Sequence, residues 1–523
     1  MNRGIGQLAR IARLVILAAG FVLIFFAPAV LANSVTWTDG NGDMLWSDPL
    51  NWSGGLPVGN DVNFTNVGAA SDVSTVTNIS DAPITINSLI YNNTSGNDQF
   101  TDLTGGDLNI TGGLSVTSGG TVSLGGPSAN ITAASVNIDS GNLDLNSGAT
   151  LSVANAFTLG SGYRTNTSGA LNLSPGAAFY LGTANSPASL TVAQQGGDQF
   201  GEGTCTATFA PDSSANPNMA LYISSLQIGV TGEFSNAVGT VDLTNYTGPL
   251  SIGSLTIGDT NYNAVGTGHF IFGNAVNNFL SVTTIGGGNG DLTINSGATI
   301  RVTGGMAIGS INSIGQLSLG ANATLDLTDT TLLINYGSGP DPISTIRGYL
   351  MSGYAGGAWN GPGIDSSATA ANSGYGLGVA DSADPGNPAD LSSDQIEIKY
   401  TLLGDLNLDG VVNGDDFTIL VGNLGKSVSG WDQGDFFYTG TVNGDDFTAL
   451  ISNLGKSANG GDVQLPASVY AAVDAFAAAH GLMADVPEPA SVGLAVLGIM
   501  GALSVRRRPT SRVGAFAYSS RGS

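Results

Sequence analysis

Basic residues are nearly absent from the body of this 523-residue chain. Between Asn33 and Val486 there are only Arg164, Arg301, Arg347, Lys399, Lys426 and Lys456, against a formal net charge of −25. Such an acidic body argues against nucleic acid as a partner, because phosphate contacts need clustered Lys and Arg. Cysteine is almost missing too. The single Cys205 cannot make an intrachain disulfide, so no staple holds the fold, and its expected role is that of a small buried apolar residue. Charged residues are few at 10%, yet hydrophobic residues reach 42%, which separates the chain from disordered sequences.

Catalytic signals are also missing. No nucleophile elbow, zinc motif or phosphate loop occurs. A polysaccharide lyase needs a base to take the proton, and the repeats offer only Arg164 and Arg301, far apart. A glycoside hydrolase needs paired carboxylates. Asp139, Asp144, Asp291 and Asp326 are scattered singly at expected outward or turn positions, and Glu202 and Glu233 are the only glutamates there. His269 stands alone, with a structural role expected. The sequence therefore assigns no catalytic residue. An ice-binding face would want ranks of Thr-x-Thr, whereas the runs here read Leu-Asp-Leu or Leu-Ser-Val.

Glycine, by contrast, is abundant at 78 residues, and short β-branched runs alternate between the glycines. Leu143-Asp-Leu145, Leu151-Ser-Val153 and Phe157-Thr-Leu159 are three apolar-x-apolar runs separated by Gly, Asn and Ser. The first returns 28 residues later, from Leu145 to Leu173, and a later one returns after 25, from Ile294 to Leu319. Three such strands per round suit one three-sided coil, each strand pointing two apolar side chains inward. One coil cannot close a core, but stacked coils can. The expected fold is mainly β: a right-handed parallel β-helix, or solenoid. The stretch Gln194–Asn218 breaks the rhythm and is expected to protrude as a loop. Trp37, Trp46 and Trp52 lie in one Gly/Asp-rich segment. They are expected to cover the open first coil, with sugar stacking as the alternative. The segment through Phe64 resembles the opening of secreted bacterial proteins with autotransporter-associated β-strand repeats.

Towards the C-terminus a loop and helix occur twice. Val412–Ser427 and Val442–Ser457 differ only at Ile419/Ala449, Val421/Ile451 and Gly422/Ser452. The first copy has the oxygen spacing of a calcium loop, with ligands at positions 1, 3, 5, 7 and 12 and glycine at 6. These are Asp405, Asn407, Asp409, the Val411 carbonyl and Asp416, with Gly410 at the turn. In the second copy Asp435, Thr439, the Thr441 carbonyl and Asp446 stand at positions 1, 5, 7 and 12, but with Phe437 and Thr439 at positions 3 and 5 two carboxylate or amide ligands are missing. Phe417, Leu420, Val421 and Leu424 mark one apolar helix face after the first loop. A strand-like run, Gln395–Thr401, precedes it in place of an entering helix. A calcium loop with only its exiting helix, present twice, resembles a type I dockerin. That resemblance implies bound Ca²⁺ and a cohesin-like protein as partner.

Both ends read as addresses. Arg3, Arg10 and Arg13 precede the apolar run Leu14–Phe26 and the small residues Val30-Leu-Ala32, the three parts of a signal peptide. Val486-Pro-Glu488-Pro489-Ala490, the apolar stretch Ser491–Val505 and Arg506-Arg-Arg508 resemble a PEP-CTERM sorting signal. That resemblance implies export, a hydrophobic C-terminal helix and recognition by an exosortase-type enzyme. The expected organisation is a signal peptide (1–32), a Trp-rich cap (33–83), β-helix repeats (84–335), a cap segment and linker (336–400), and a small α-helical dockerin-like calcium module (401–460). An Ala-rich helical linker (461–485), the sorting signal (486–508) and a tail (509–523) follow. The expected function is that of a secreted cell-surface or matrix protein of structural or adhesion type. The alternative is a carbohydrate-active enzyme or carbohydrate-binding protein, docked through the same module and acting on extracellular polysaccharide.

Overall fold

The structure is a computed structural model. It describes residues 32–482 except 73, 118, 164–165, 197–202, 233–234, 259–264, 287–289, 304–310 and 429. The expected signal peptide (1–32), but for its last residue, and the sorting signal with its hydrophobic stretch lie outside the described residues. Among the described residues no helix is long and apolar enough to cross a membrane.

The chain is mainly β, with parallel sheets in a β-helix-like fold. Successive rounds pair in parallel because each apolar-x-apolar run must lay its inward pair directly over the previous one. Leu143 pairs with Leu171 and Leu145 with Leu173, the register of the 28-residue repeat. Leu292 pairs with Leu317 and Ile294 with Leu319, the register of the 25-residue repeat. A thirteen-stranded sheet and a ten-stranded sheet carry most of the rounds. In the early rounds the larger sheet supplies two sides at once. Asn130–Ile138 pairs along its whole length with Leu108–Val116 and Thr150–Tyr163, and a register shift between Ala133 and Ser135 bends the strand at a corner. Later rounds split this corner, and Phe279–Val282, Thr299–Val302, Thr324–Asp326 and Gly363–Asp365 form a separate parallel sheet. Three sides per round follow, as the triplets of runs predict.

The turns between sides are built alike. In Asn146-Ser-Gly-Ala-Thr150 the Ala149 amide donates to Asn146 O at 3.0 Å and Gly148 has φ 81°. The identical Asn295–Thr299 repeats both features, with Ala298 donating to Asn295 O at 3.1 Å and Gly297 at φ 75°. Glycine stands there because an L side chain resists that backbone conformation.

The first round starts at Ser34. Ser34–Trp37 pairs in parallel with Asp61–Phe64, which pairs with Ser88–Tyr91, so the tryptophan segment belongs to the same sheet as the repeats. Trp37, Trp46 and Trp52 are buried, packed edge-on to one another around Phe64, which stacks on Tyr91 at 5.0 Å. Rings so covered plug the end of the core, and no face is left for a sugar. Trp52–Ser53 folds back antiparallel on Ser34–Trp37. The stretch around Cys205 corrects the expectation of a protruding loop. Thr204–Phe209 is a strand of the ten-stranded sheet between Thr167–Leu173 and Asn236–Asp242. Its inward residues Cys205, Ala207 and Phe209 are buried.

At the far end the stacking reverses. Gln395–Leu402 lies antiparallel on Thr331–Asn335 and also pairs antiparallel with Tyr375–Asp381. Between them run helix α1 (Ile343–Tyr354) and the short helix α2 (Ser367–Ala371). Helices α3 (Gly414–Asn423) and α4 (Gly444–Asn453) follow, and α5 (Ala467–His480) comes last.

Candidate metal centre in the paired loops

The two loops share one backbone plan. Position 4 takes the left-handed conformation in both, at Leu408 (φ 56°) and Tyr438 (φ 53°), and so does position 6, at Gly410 and Gly440. Position 12 is built into the helix start. Asp416 accepts from the Leu406 amide at 2.7 Å and the Asn413 amide at 2.8 Å. Asp446 accepts from Phe436 N at 2.9 Å and Asn443 N at 2.9 Å. Asn413 with Asp416, and Asn443 with Asp446, form capping boxes on α3 and α4. Asp405, Asp416, Asp435 and Asp446 are all fully buried.

Position 1 separates the copies. Asp405 accepts through Oδ2 from Thr401 Oγ1 and from the Gly410 amide, while its buried Oδ1 has no partner. In the second loop Asp435 Oδ1 takes the Thr439 amide at 2.8 Å, and Oδ2 takes the Gly440 amide. Burial pushes Asp405 up to about 6, with Asp409 adding to the rise, and pushes Asp416 up to about 7, with Asp405 adding. Asp446 is likewise pushed up to about 6 by burial. A buried carboxylate with an oxygen to spare is the group a hard cation stabilises.

The remaining first-loop groups lie nearer the surface. Asn407 Nδ2 donates to Asp409 Oδ2 at 3.0 Å, and the Val411 amide donates to Asp409 Oδ1 at 2.8 Å. Among the described residues no group of three or more His, Cys, Asp or Glu side chains converges to hold a metal ion. The donor chemistry of the first loop fits Ca²⁺ on the unpartnered Asp405 oxygen. That of the second does not: Phe437 offers no oxygen, and Thr439 Oγ1 donates to the Thr441 carbonyl at 2.9 Å.

Sequence reasoning missed how tightly this module is tied to the solenoid end. Trp431, fully buried, donates from its indole to Asp405 O at 2.7 Å and packs on Phe436. A Cβ on Gly376 or Gly378 would lie 2.5 Å from Trp431 or Leu408 carbons, so only glycine lets the strand Tyr375–Asp381 approach. Asn453 donates to Gly374 O and Leu403 O, Tyr375 to Ala458 O, and Tyr438 to Leu377 O. Lys399 Nζ donates to Leu408 O. Nor is α5 a free linker. Its Phe476 packs on Phe417 of α3 and Phe447 of α4. None of these long-range contacts leaves a local motif.

The other charged groups fall in small clusters. Asp326, expected to face outward, is 2% exposed and pairs with Arg301 at 2.6 Å. Burial first, then Asp326, push its ladder neighbour Asp365 up to about 7. His269 meets Asp291 at 3.0 Å. Arg347 of α1 bridges Asp384 and the buried Asp432, whose carboxylate oxygens make no hydrogen bond.

Comparison with protein families matches one description, the PEP-CTERM protein-sorting motif, over residues 485–508. No curated protein and no solved structure matches the chain. The motif marks an exported, envelope-associated protein and implies processing by an exosortase-type enzyme.

Proposed function

We propose that this is a structural, adhesion-type β-helix protein of the cell surface or matrix. Its first loop binds Ca²⁺ and so fixes a dockerin-like module onto the end of the solenoid. Asp405, Asn407, Asp409, the Val411 carbonyl and Asp416 supply the oxygens. The observation that carries the reading is Asp405, fully buried with one unpartnered oxygen and joined through Thr401 to the strand that closes the solenoid. Calcium titration of the full exported chain, by calorimetry and by thermal melting, tests it. One bound ion and a raised melting temperature are expected; no heat and no shift would overturn it.

A second reading keeps the module as a dock for a cohesin-like protein. It is favoured by an open groove of about 660 Å³ between α4 and the Ser373–Leu403 side, lined among others by Thr448, Ser452 and Lys456. A calcium-dependent complex with a type I cohesin domain would support it, and the lack of any complex with or without calcium would remove it.

A further inference from the structure

A second groove lies far from the paired loops, on the outside of the solenoid where the early strands bend. Its volume is about 790 Å³, within the range of small-molecule sites. One rank of outward side chains crosses it. Asn109, Thr132, Ser152 and Tyr180 are direct register partners on four successive strands; on the next strand Ala220 takes the register place and Tyr222 stands two residues further along. Neighbouring strands lie about 4.8 Å apart, so the rank presents one polar or aromatic group per step, close to the length of one pyranose unit in an extended chain. The groups are already ordered: Thr132 Oγ1 donates to Asn109 Oδ1 at 2.6 Å. The corner between them is left open by the small side chain of Ala154.

Two features select the occupant. No charged residue lines the groove, although the chain as a whole carries a net charge of −25. A polyanion finds no cation there, and a cationic ligand finds no carboxylate. The strands are also internal to their sheet, with both edges paired, so an extended peptide has no free backbone to add to. What remains is a surface of hydroxyls, an amide and two phenol rings. That suits a ligand with many hydroxyl groups and apolar C–H faces. We propose that this groove binds a neutral polysaccharide chain running across the strands, with Tyr180 and Tyr222 as stacking platforms and Asn109, Thr132 and Ser152 as hydrogen-bonding partners. The site is independent of the calcium reading.

The test is retention of the full exported chain on immobilised neutral hexasaccharides of β-1,4-linked glucose, xylose and mannose, beside oligogalacturonate and an unstructured peptide library. Retention on at least one neutral hexasaccharide is expected, weakened about tenfold or more in Tyr180→Ala and Tyr222→Ala. Ala154→Glu, which fills the exposed corner without touching the core, should abolish retention and keeps the test valid if a tyrosine variant fails to fold. No retention on any neutral hexasaccharide would overturn the proposal. So would retention unchanged in Ala154→Glu, or stronger retention on oligogalacturonate or on the peptides.

Discussion

The two loops of the C-terminal module share one backbone plan and end on the same Val-Asn-Gly-Asp-Asp, yet only one keeps a buried oxygen unpaired. Asp405 and Asp435 both sit at position 1 and both accept the position-6 amide. The Thr439 amide satisfies the remaining Asp435 oxygen, whereas nothing does so for Asp405 Oδ1. Their position-12 aspartates behave alike, each closing a capping box. The same residue types therefore serve as fold elements in both loops, and only the first leaves a carboxylate oxygen without a partner. The distinction rests on positions 3 and 5, Asn407 and Asp409 in one loop and Phe437 and Thr439 in the other.

The sharpest way to break this comparison is paired removal of carboxylates. Asp405→Ala with Asp416→Ala should abolish calorimetric calcium binding, while Asp435→Ala with Asp446→Ala should leave its stoichiometry and affinity in place. The second pair should cost stability alone, about 1–3 kcal/mol for each buried amide left without an acceptor, read from denaturant unfolding. Equal loss of calcium binding in both pairs would erase the difference between the loops.

Next comes the residue that spans both copies. Trp431→Ala should cost about 3–5 kcal/mol, the range for a large buried aromatic, and should weaken calcium binding by freeing the Asp405 carbonyl. Urea denaturation with and without calcium separates the two effects. The comparison can also be sharpened by repair. Phe437→Asn with Thr439→Asp restores oxygens to positions 3 and 5, and the new position-3 oxygen draws the position-5 amide off Asp435, as Asn407 does for the Asp409 amide. Calorimetry should then count two ions in place of one.

The smallest expected effect concerns the junction beside the loops. Burial first, and then Asp384, push Asp432 from the usual 3.8 up to about 8, against the pull of Arg347. A raised folded value means that the group stabilises the fold fully below its unfolded value, and that this contribution is lost as pH rises through about 8. Stability of the parent should therefore fall across that window relative to Asp432→Asn. Parallel profiles for the two proteins would contradict the assignment.

Much of the solenoid was legible because a strand repeats every second residue and stacked rounds must align. Leu143 over Leu171 and Leu292 over Leu317 could be read from spacing alone. Where inward residues shrink, the signal fades: Thr204–Phe209 buries Cys205 and Ala207, and the strand passed for a loop. The shared loop plan, with glycine at position 6 and aspartate at position 12, was legible from spacing. The unpaired Asp405 oxygen was not, because its state depends on how the loop closes. Nor could spacing show Tyr375 reaching Ala458, or Phe476 lying across two helices. Contacts between elements far apart in sequence leave no period to detect.

The strand Gln395–Leu402 runs against the grain of the rounds it closes, and Trp52–Ser53 does the same at the start. A parallel stack with bare ends is a template on which a second molecule could continue the pile. The outermost strand at the far end is Tyr375–Asp381, beyond Gln395–Leu402, and the module covers it: Trp431 lies against Gly376 and Gly378, and Tyr438 donates to Leu377 O. Many copies delivered to the same patch of envelope can then crowd together without growing into a fibre.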